Sequence, residues 1–146
     1  MTHYYEDLIV GQSESLSRTV TEREIQLFGE ATGDLNPVHF DEAYARKTLF
    51  RGRIAHGALS IGFVSAVIGT ELPGPGTILL SANIDFKAPV RIGDTVVTSC
   101  TVKEIRDRRN VLLRFMCSVG DATVIEGEAL VMAPKRPVQK AGPGGQ

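Results

Sequence analysis

With 146 residues, 16 lysines and arginines against 17 aspartates and glutamates, and a formal charge of −1, the chain can bury one core but not two, and tandem copies of a domain are excluded. No global field favours nucleic acid or an anionic membrane surface, so an anionic ligand must be met by local patches. The longest apolar run, 58–69, is broken by serines and glycines and is too short to span a bilayer. The N-terminus lacks the charged and apolar regions of a signal peptide, so the expected setting is the cytoplasm, with no membrane segment.

In chain order, 15–20 reads as a short strand, and Thr21-Glu22-Arg23-Glu24 as a capping box opening a helix that runs to about Ala31 and ends at Gly33. Ile25, Leu27 and Phe28 offer this helix an apolar face, while Glu22, Arg23, Gln26 and Glu30 face water. A second, short helix is expected over 41–48, with Asp41 as its cap and Phe40, Ala43, Tyr44 and Lys47 at helical offsets. Arg51, Gly52 and Arg53 make a basic turn. From Ala58 to about Leu72 apolar residues surround most of the helix circumference, the pattern of a core helix wrapped on several sides. Pro73-Gly74-Pro75-Gly76 stops it.

Four strands are then expected over 77–86, 95–105, 111–119 and 123–132, rich in Val, Ile, Leu, Thr and Phe and punctuated by Gly, Asp, Asn or Pro. A long helix followed by an antiparallel meander indicates an α+β domain whose sheet packs on that helix. The segment 1–133 is read as a single domain, and the Pro-, Gly-, Lys- and Gln-rich tail 134–146 as disordered. Cys100 and Cys117 fall in separate strand-like stretches without CxxC spacing and read as buried thiols of a reducing compartment. His3 sits near the terminus, and His39 and His56 lack a cysteine cluster or an HxxxH partner, so neither a metal nor another cofactor is expected.

The run Thr32-Gly33-Asp34-Leu35-Asn36-Pro37-Val38-His39 carries the chemistry. Asn36 before proline disfavours helix there, so Asp34 and His39 can point into one cavity. A carboxylate can hold or deprotonate water, and an imidazole titrates near neutrality. On residue types alone, the more common reading is that Asp34 and Asn36 form Asx turns with His39 packed beside them.

Phe28, Thr32, Gly33, Asp34, Asn36, Pro37, Val38, His39 and Ala45 stand in the order and spacing of the signature of (R)-specific enoyl-CoA hydratases, the MaoC-like dehydratase group. Ile54-Ala55-His56-Gly57 resembles that group's turn into its central helix. A looser resemblance runs over 6–133, through Phe86-Lys87-Ala88-Pro89-Val90 and Gly93-Asp94. It implies a hot-dog fold, an antiparallel sheet wrapped around a long central helix. It also implies reversible addition of water to a trans-2-enoyl thioester to give the (R)-3-hydroxyacyl thioester.

By the same resemblance Asp34 and His39 jointly grip the water, and the Gly57 N–H is the oxyanion-hole donor, consistent with unpaired N–H groups at a helix start. Asn36 either orients the loop and substrate or simply makes the turn, and His56 is read as fixing the turn. Ser65 corresponds to a family serine near the water, or is a helix serine bonded back to its own turn. Arg51, Arg53, Lys87 and Arg91 are candidates for a basic mouth facing carrier phosphates, or are solvated surface charges. Phe63, Val64 and Ile68 would set acyl length, and Ala58 replaces the methionine that relatives often carry, which affects pocket depth. The implied partners are an acyl-CoA substrate, with acyl carrier protein as a variant carrier, and a second copy of the chain, because a lone hot-dog sheet leaves an edge to cover. A route into polyhydroxyalkanoate synthesis is one setting for the product.

Two further classes stay open at this stage: a hot-dog thioesterase, which would release free thiol, and a non-catalytic acyl-binding subunit. A Ser-His-Asp hydrolase is disfavoured, since no G-x-S-x-G elbow surrounds Ser60 or Ser65.

Overall fold

A computed structural model describes residues 1–138 of the protein. After a 3-10 turn at Tyr5–Asp7, the elements in order are β1 (Ser13–Thr19), α1 (Glu22–Thr32), α2 (Pro37–Phe40), α3 (Glu42–Arg46), α4 (Gly57–Thr70), β2 (Ile78–Phe86), β3 (Thr95–Ile105), β4 (Asn110–Val119) and β5 (Ala122–Met132). The strands form one antiparallel sheet in the order β1-β3-β4-β5-β2. This is the α+β hot-dog arrangement: a long helix followed by a meander, with β1 and β2 carried to opposite edges.

The period of two along the central strands decides which face is covered. Val96, Thr98, Cys100 and Val102 of β3, and Val111, Leu113, Phe115 and Cys117 of β4, are buried, and each intervening residue is less so. Val64, Val67 and Ile68 of α4 join this core. Gly120, at φ 57, and Asp121 make the two-residue turn between paired Val119 and Ala122, a conformation suited to a hairpin with right-handed strand twist.

The helices depart from the sequence reading in informative ways. Thr21 does cap α1: its hydroxyl accepts the Arg23 N–H at 3.2 Å and donates to the Glu24 carboxylate at 2.8 Å. The inward stripe is Ile25, Phe28 and Gly29, so Leu27, expected on the apolar face, points away and is half exposed. The short helix expected over 41–48 is α3, and α2 is an additional turn of helix just before it, where the Asn36-Pro37 step was expected to disfavour helix; the two are separated by the extended conformation of Asp41. Its Oδ1 accepts the Tyr44 N–H at 3.0 Å and restarts the helix.

The sheet covers only one side of α4. The other side, carrying Ala58, Gly62, Ser65, Ala66 and Gly69, is exposed in the single chain. The disorder expected from Pro134 is not found over 134–136: the Tyr5 N–H donates to the Pro134 carbonyl at 2.7 Å, the Arg136 N–H donates to Glu6 at 3.0 Å, and the Arg136 guanidinium pairs with Asp7. The rest of that expectation, 139–146, lies outside the described residues.

Gly127 of β5 faces Ile84 of β2 and Phe115 of β4. A methyl group there would run into the Asn83 carbonyl and sit 2.8 Å from Phe115 Cζ. Gly127→Ala is expected to cost about 1–3 kcal/mol by overpacking, read as a lower denaturant midpoint at unchanged m-value.

Candidate active site

The Asp34 loop is shaped by its own side chains. Gly33 ends α1 in the left-handed region, at φ 79, and its N–H donates to the Gly29 carbonyl at 2.8 Å. The Thr32 hydroxyl accepts from the Asp34 N–H at 3.1 Å, Asp34 Oδ1 from the Asn36 N–H at 3.3 Å, and Asn36 Oδ1 from the Val38 N–H at 3.2 Å. Asn36 is thus an N-cap, with Pro37 at the first helical position. One turn of helix then carries His39 inward, where it is buried.

Two segments cross at this point. His39 Nδ1 lies 2.8 Å from the Ile54 carbonyl, and His56 Nε2 lies 2.9 Å from the Asp34 carbonyl. A carbonyl only accepts, so each nitrogen donates, and His39 keeps its Nε2 lone pair for other work. The two imidazoles stack with centroids 4.0 Å apart at 32°. One ligating atom each from Asp34, His39 and His56 falls within a 4.8 Å span, with the Asp34 side exposed. That spacing leaves room for a water between carboxylate and imidazole.

Arg53 braces the crossing. Its Nε donates to the His39 carbonyl at 2.8 Å and its Nη2 to Glu22 Oε1 at 2.8 Å, which ties α1 to the turn before α4. Arg91 donates to the Phe50 carbonyl at 2.6 Å. Beside the crossing is a mostly apolar cavity of about 270 Å³, running from His56, Gly57 and Ser60 past Phe50 and Phe86 to Lys87, Val124 and Ile125.

The model of the MaoC-like domain matches residues 10–115. The chain belongs to this MaoC-like family. It is 52% identical over 135 residues to an (R)-specific enoyl-CoA hydratase of Rhodospirillum rubrum, covering 92% of this chain and 94% of the relative. It is 48% identical over 134 residues to a 3-hydroxybutyryl-CoA dehydratase of Methylorubrum extorquens, covering 91% and 85%. The solved (R)-hydratase of Aeromonas caviae involved in PHA biosynthesis superposes with a TM-score of 0.85 at 36% identity, covering 88% of this chain and 99% of that one.

In this MaoC-like protein the fold gathers Asp34, His39, His56 and Gly57 at one place and disperses the other candidates. Gly57 is the first residue of α4, so its N–H has no acceptor within the helix. A Cβ there would sit 2.8 Å from Phe86 Cε1, so the exposed Phe86 ring would have to shift to admit it. Lys87 reaches the cavity wall, with Nζ 3.8 Å from Glu126. Arg51 is exposed along an open groove with Leu49 and Ile92 and holds a left-handed φ of 58. Arg53, expected at a basic mouth, is consumed by Glu22 and His39, and Ser65 stands exposed on α4, outside the cavity lining.

Phe63, Val64 and Ile68, expected to set acyl length, do not line the cavity. Val64 and Ile68 face the sheet, where the core needs them, and Phe63 lies in a separate groove with Leu16 and Leu59. Phe50, Ser60 and Phe86 line the cavity beside His56. Phe86 was legible within the Phe86-Lys87-Ala88-Pro89 stretch, whereas no periodicity points Phe50 toward a site.

Burial lowers the pKa of His39 below the ordinary 6.5, opposed by the bond to the Ile54 carbonyl, and a charge on His56 would push it the same way as burial. Burial drives the Cys100 thiol up to about 12 and raises Cys117, so neither supplies a thiolate. The neutral, accepting form of His39 therefore persists below pH 6.5. The acid limb of kcat/KM is expected on the acid side of that value. Because the unfolded histidine binds its proton first as pH falls, the His39 contribution to stability is present above 6.5 and is lost as pH drops through the lower folded value. A limb at or above 6.5 would contradict this reading.

Proposed function

We propose that this chain is an (R)-specific enoyl-CoA hydratase, a hydro-lyase that reversibly adds water across the double bond of a trans-2-enoyl-CoA to give the (R)-3-hydroxyacyl-CoA. The observation that carries the mechanism is the pairing of the Asp34 carboxylate with a His39 ring whose Nδ1 is already spent on Ile54. His39 Nε2 and the carboxylate are then the groups left to grip one water.

The chemistry follows from that grip. As a water proton passes to the pair, the oxygen bonds to the β-carbon and the alkene electrons move onto the thioester oxygen. The Gly57 N–H, at the positive start of α4, offers that oxygen a fixed donor. Return of a proton from the pair to the α-carbon collapses the enolate and restores the thioester. Asp34 and His39 act jointly here, since close titrating groups share their protons. Asn36 shapes the loop. Lys87, on the cavity wall, and Arg51, on a separate open groove, are the cations this reading assigns to carrier phosphates, and it assigns the apolar cavity beside Gly57 to acyl carbons.

The functional unit in this reading is a homodimer. The outer edge of β2 leaves Ile78, Leu79, Leu80 and Phe86 exposed, and the small-residue side of α4 is bare, as expected of surfaces that a second copy covers. No described helix is long and apolar enough to cross a membrane, and the free, buried Cys100 and Cys117 fit a cytoplasmic setting. Supply of (R)-3-hydroxyacyl-CoA to polyhydroxyalkanoate synthesis, the process in which the Aeromonas caviae enzyme is involved, suits this activity.

Crotonyl-CoA and its longer homologues should lose their ultraviolet enoyl absorbance and yield the (R)-alcohol, without release of thiol. Thiol release without hydration would identify a thioesterase instead, and turnover confined to protein-borne substrate would identify an acyl-carrier-protein enzyme. Asp34→Asn and His39→Ala should each cut turnover by on the order of a hundredfold or more while leaving the protein folded. Near-normal rates in both variants would reject the assignment. Light scattering should give twice the chain mass, and an active monomer would overturn the dimer.

A further inference from the structure

We infer that His56 is a positioning residue for hydration, acting through the Asp34 main chain and the His39 ring rather than on the substrate. The inference rests on the hydratase reading for its assay.

His56 is only 2% exposed, and three rings surround it: His39 at 4.0 Å, Phe28 at 4.6 Å and Phe40 at 5.5 Å between centroids. Phenylalanine would fill such a cage with no polar atom to satisfy. The imidazole instead leaves Nδ1 buried without a partner among the described residues, which is costly. What the imidazole adds is a single interaction, the Nε2–H bond to the Asp34 carbonyl at 2.9 Å.

That bond ties a buried ring to a residue that is itself exposed. Its effect is on position. It pins the exposed loop to the residue immediately before Gly57, so carboxylate, imidazole and helix N-terminus are held to one another.

His56 also occupies the N-cap of α4 yet makes no side-chain capping bond. A capping Ser or Asp would take up one of the first-turn N–H groups. His56 turns toward Asp34 instead, so its side chain does not compete for the donors at the start of α4.

The discriminating pair is His56→Phe and His56→Gln. Phenylalanine keeps the ring packing and loses the donor, while the terminal amide of glutamine can put an N–H where Nε2 stood and loses the ring. With crotonyl-CoA, His56→Phe should lower kcat by roughly ten- to a hundredfold at nearly constant KM, the scale of a misplaced catalytic group, and His56→Gln should recover most of that loss. The reverse order, or equal effects in the two, would mean that the ring only packs and would overturn the inference.

The wild-type protein gives a second measurement that requires no variant to fold. Nitrogen-15 imidazole shifts should place the His56 proton on Nε2, with Nδ1 bare, and a proton on Nδ1 would overturn the inference. A wild type inactive on enoyl thioesters would count against the hydratase reading alone, since the tautomer measurement stands without an assay.

Discussion

A reciprocal pair of hydrogen bonds holds this site together: His39 donates to a carbonyl in the 54–57 turn, and His56 of that turn donates to a carbonyl in the His39 loop. Each bond fixes the tautomer of its own ring and the position of the other ring's segment. Neither segment has a sheet ladder to hold it. An exposed loop with Asx turns alone would sample many conformations, and ordering it costs about 1–2 kcal/mol per residue. The crossed bonds and the stacked rings offset that cost where it matters, at the Asp34 and His39 side chains.

The rest of the architecture serves the crossing. α1 aims the chain into the loop and supplies Phe28 against His56 and Glu22 against Arg53. The Arg53 pair is worth more than a typical surface ion pair, because the side chain is mostly buried and its Nε bonds a carbonyl as well. α4 is packed on β3 and β4 by Val64, Val67 and Ile68, which fixes the direction in which its N-terminus points. Val64 and Ile68, two of the residues expected to tune substrate length, are therefore part of the core, and the cavity beside His56 is walled by the ends of β2 and β5 and by Phe50.

Much of this was legible in the sequence, and the pattern of what was not is physical. The strands are visible because β-branched and apolar residues are delimited by turn formers. Gly33, the Asn36-Pro37 step and the Pro73-Gly74-Pro75-Gly76 run fix chain direction by local sterics, which sequence reports directly. Leu27 and α2 were missed because apolar spacing does not say which of two adjacent faces the core will occupy, nor that Asn36 will cap a single helical turn opened by Pro37. Arg53 was read as a free cation for a similar reason. Its partner Glu22 is 31 residues away, and charge alone does not distinguish a brace from a ligand contact.

The apolar circumference of α4 is the most instructive case. A helix apolar on all sides reads as one buried on all sides, yet one flank, of Ala58, Gly62, Ser65, Ala66 and Gly69, is bare in the single chain. Small residues bury little area each, so they gain little from covering a core, but they let another backbone approach closely. The exposed apolar edge of β2 calls for cover in the same way. If a second copy supplies it, Ser65 passes from solvent into an interface. The hydrophobic pattern of α4 would then record the assembled protein rather than the single chain.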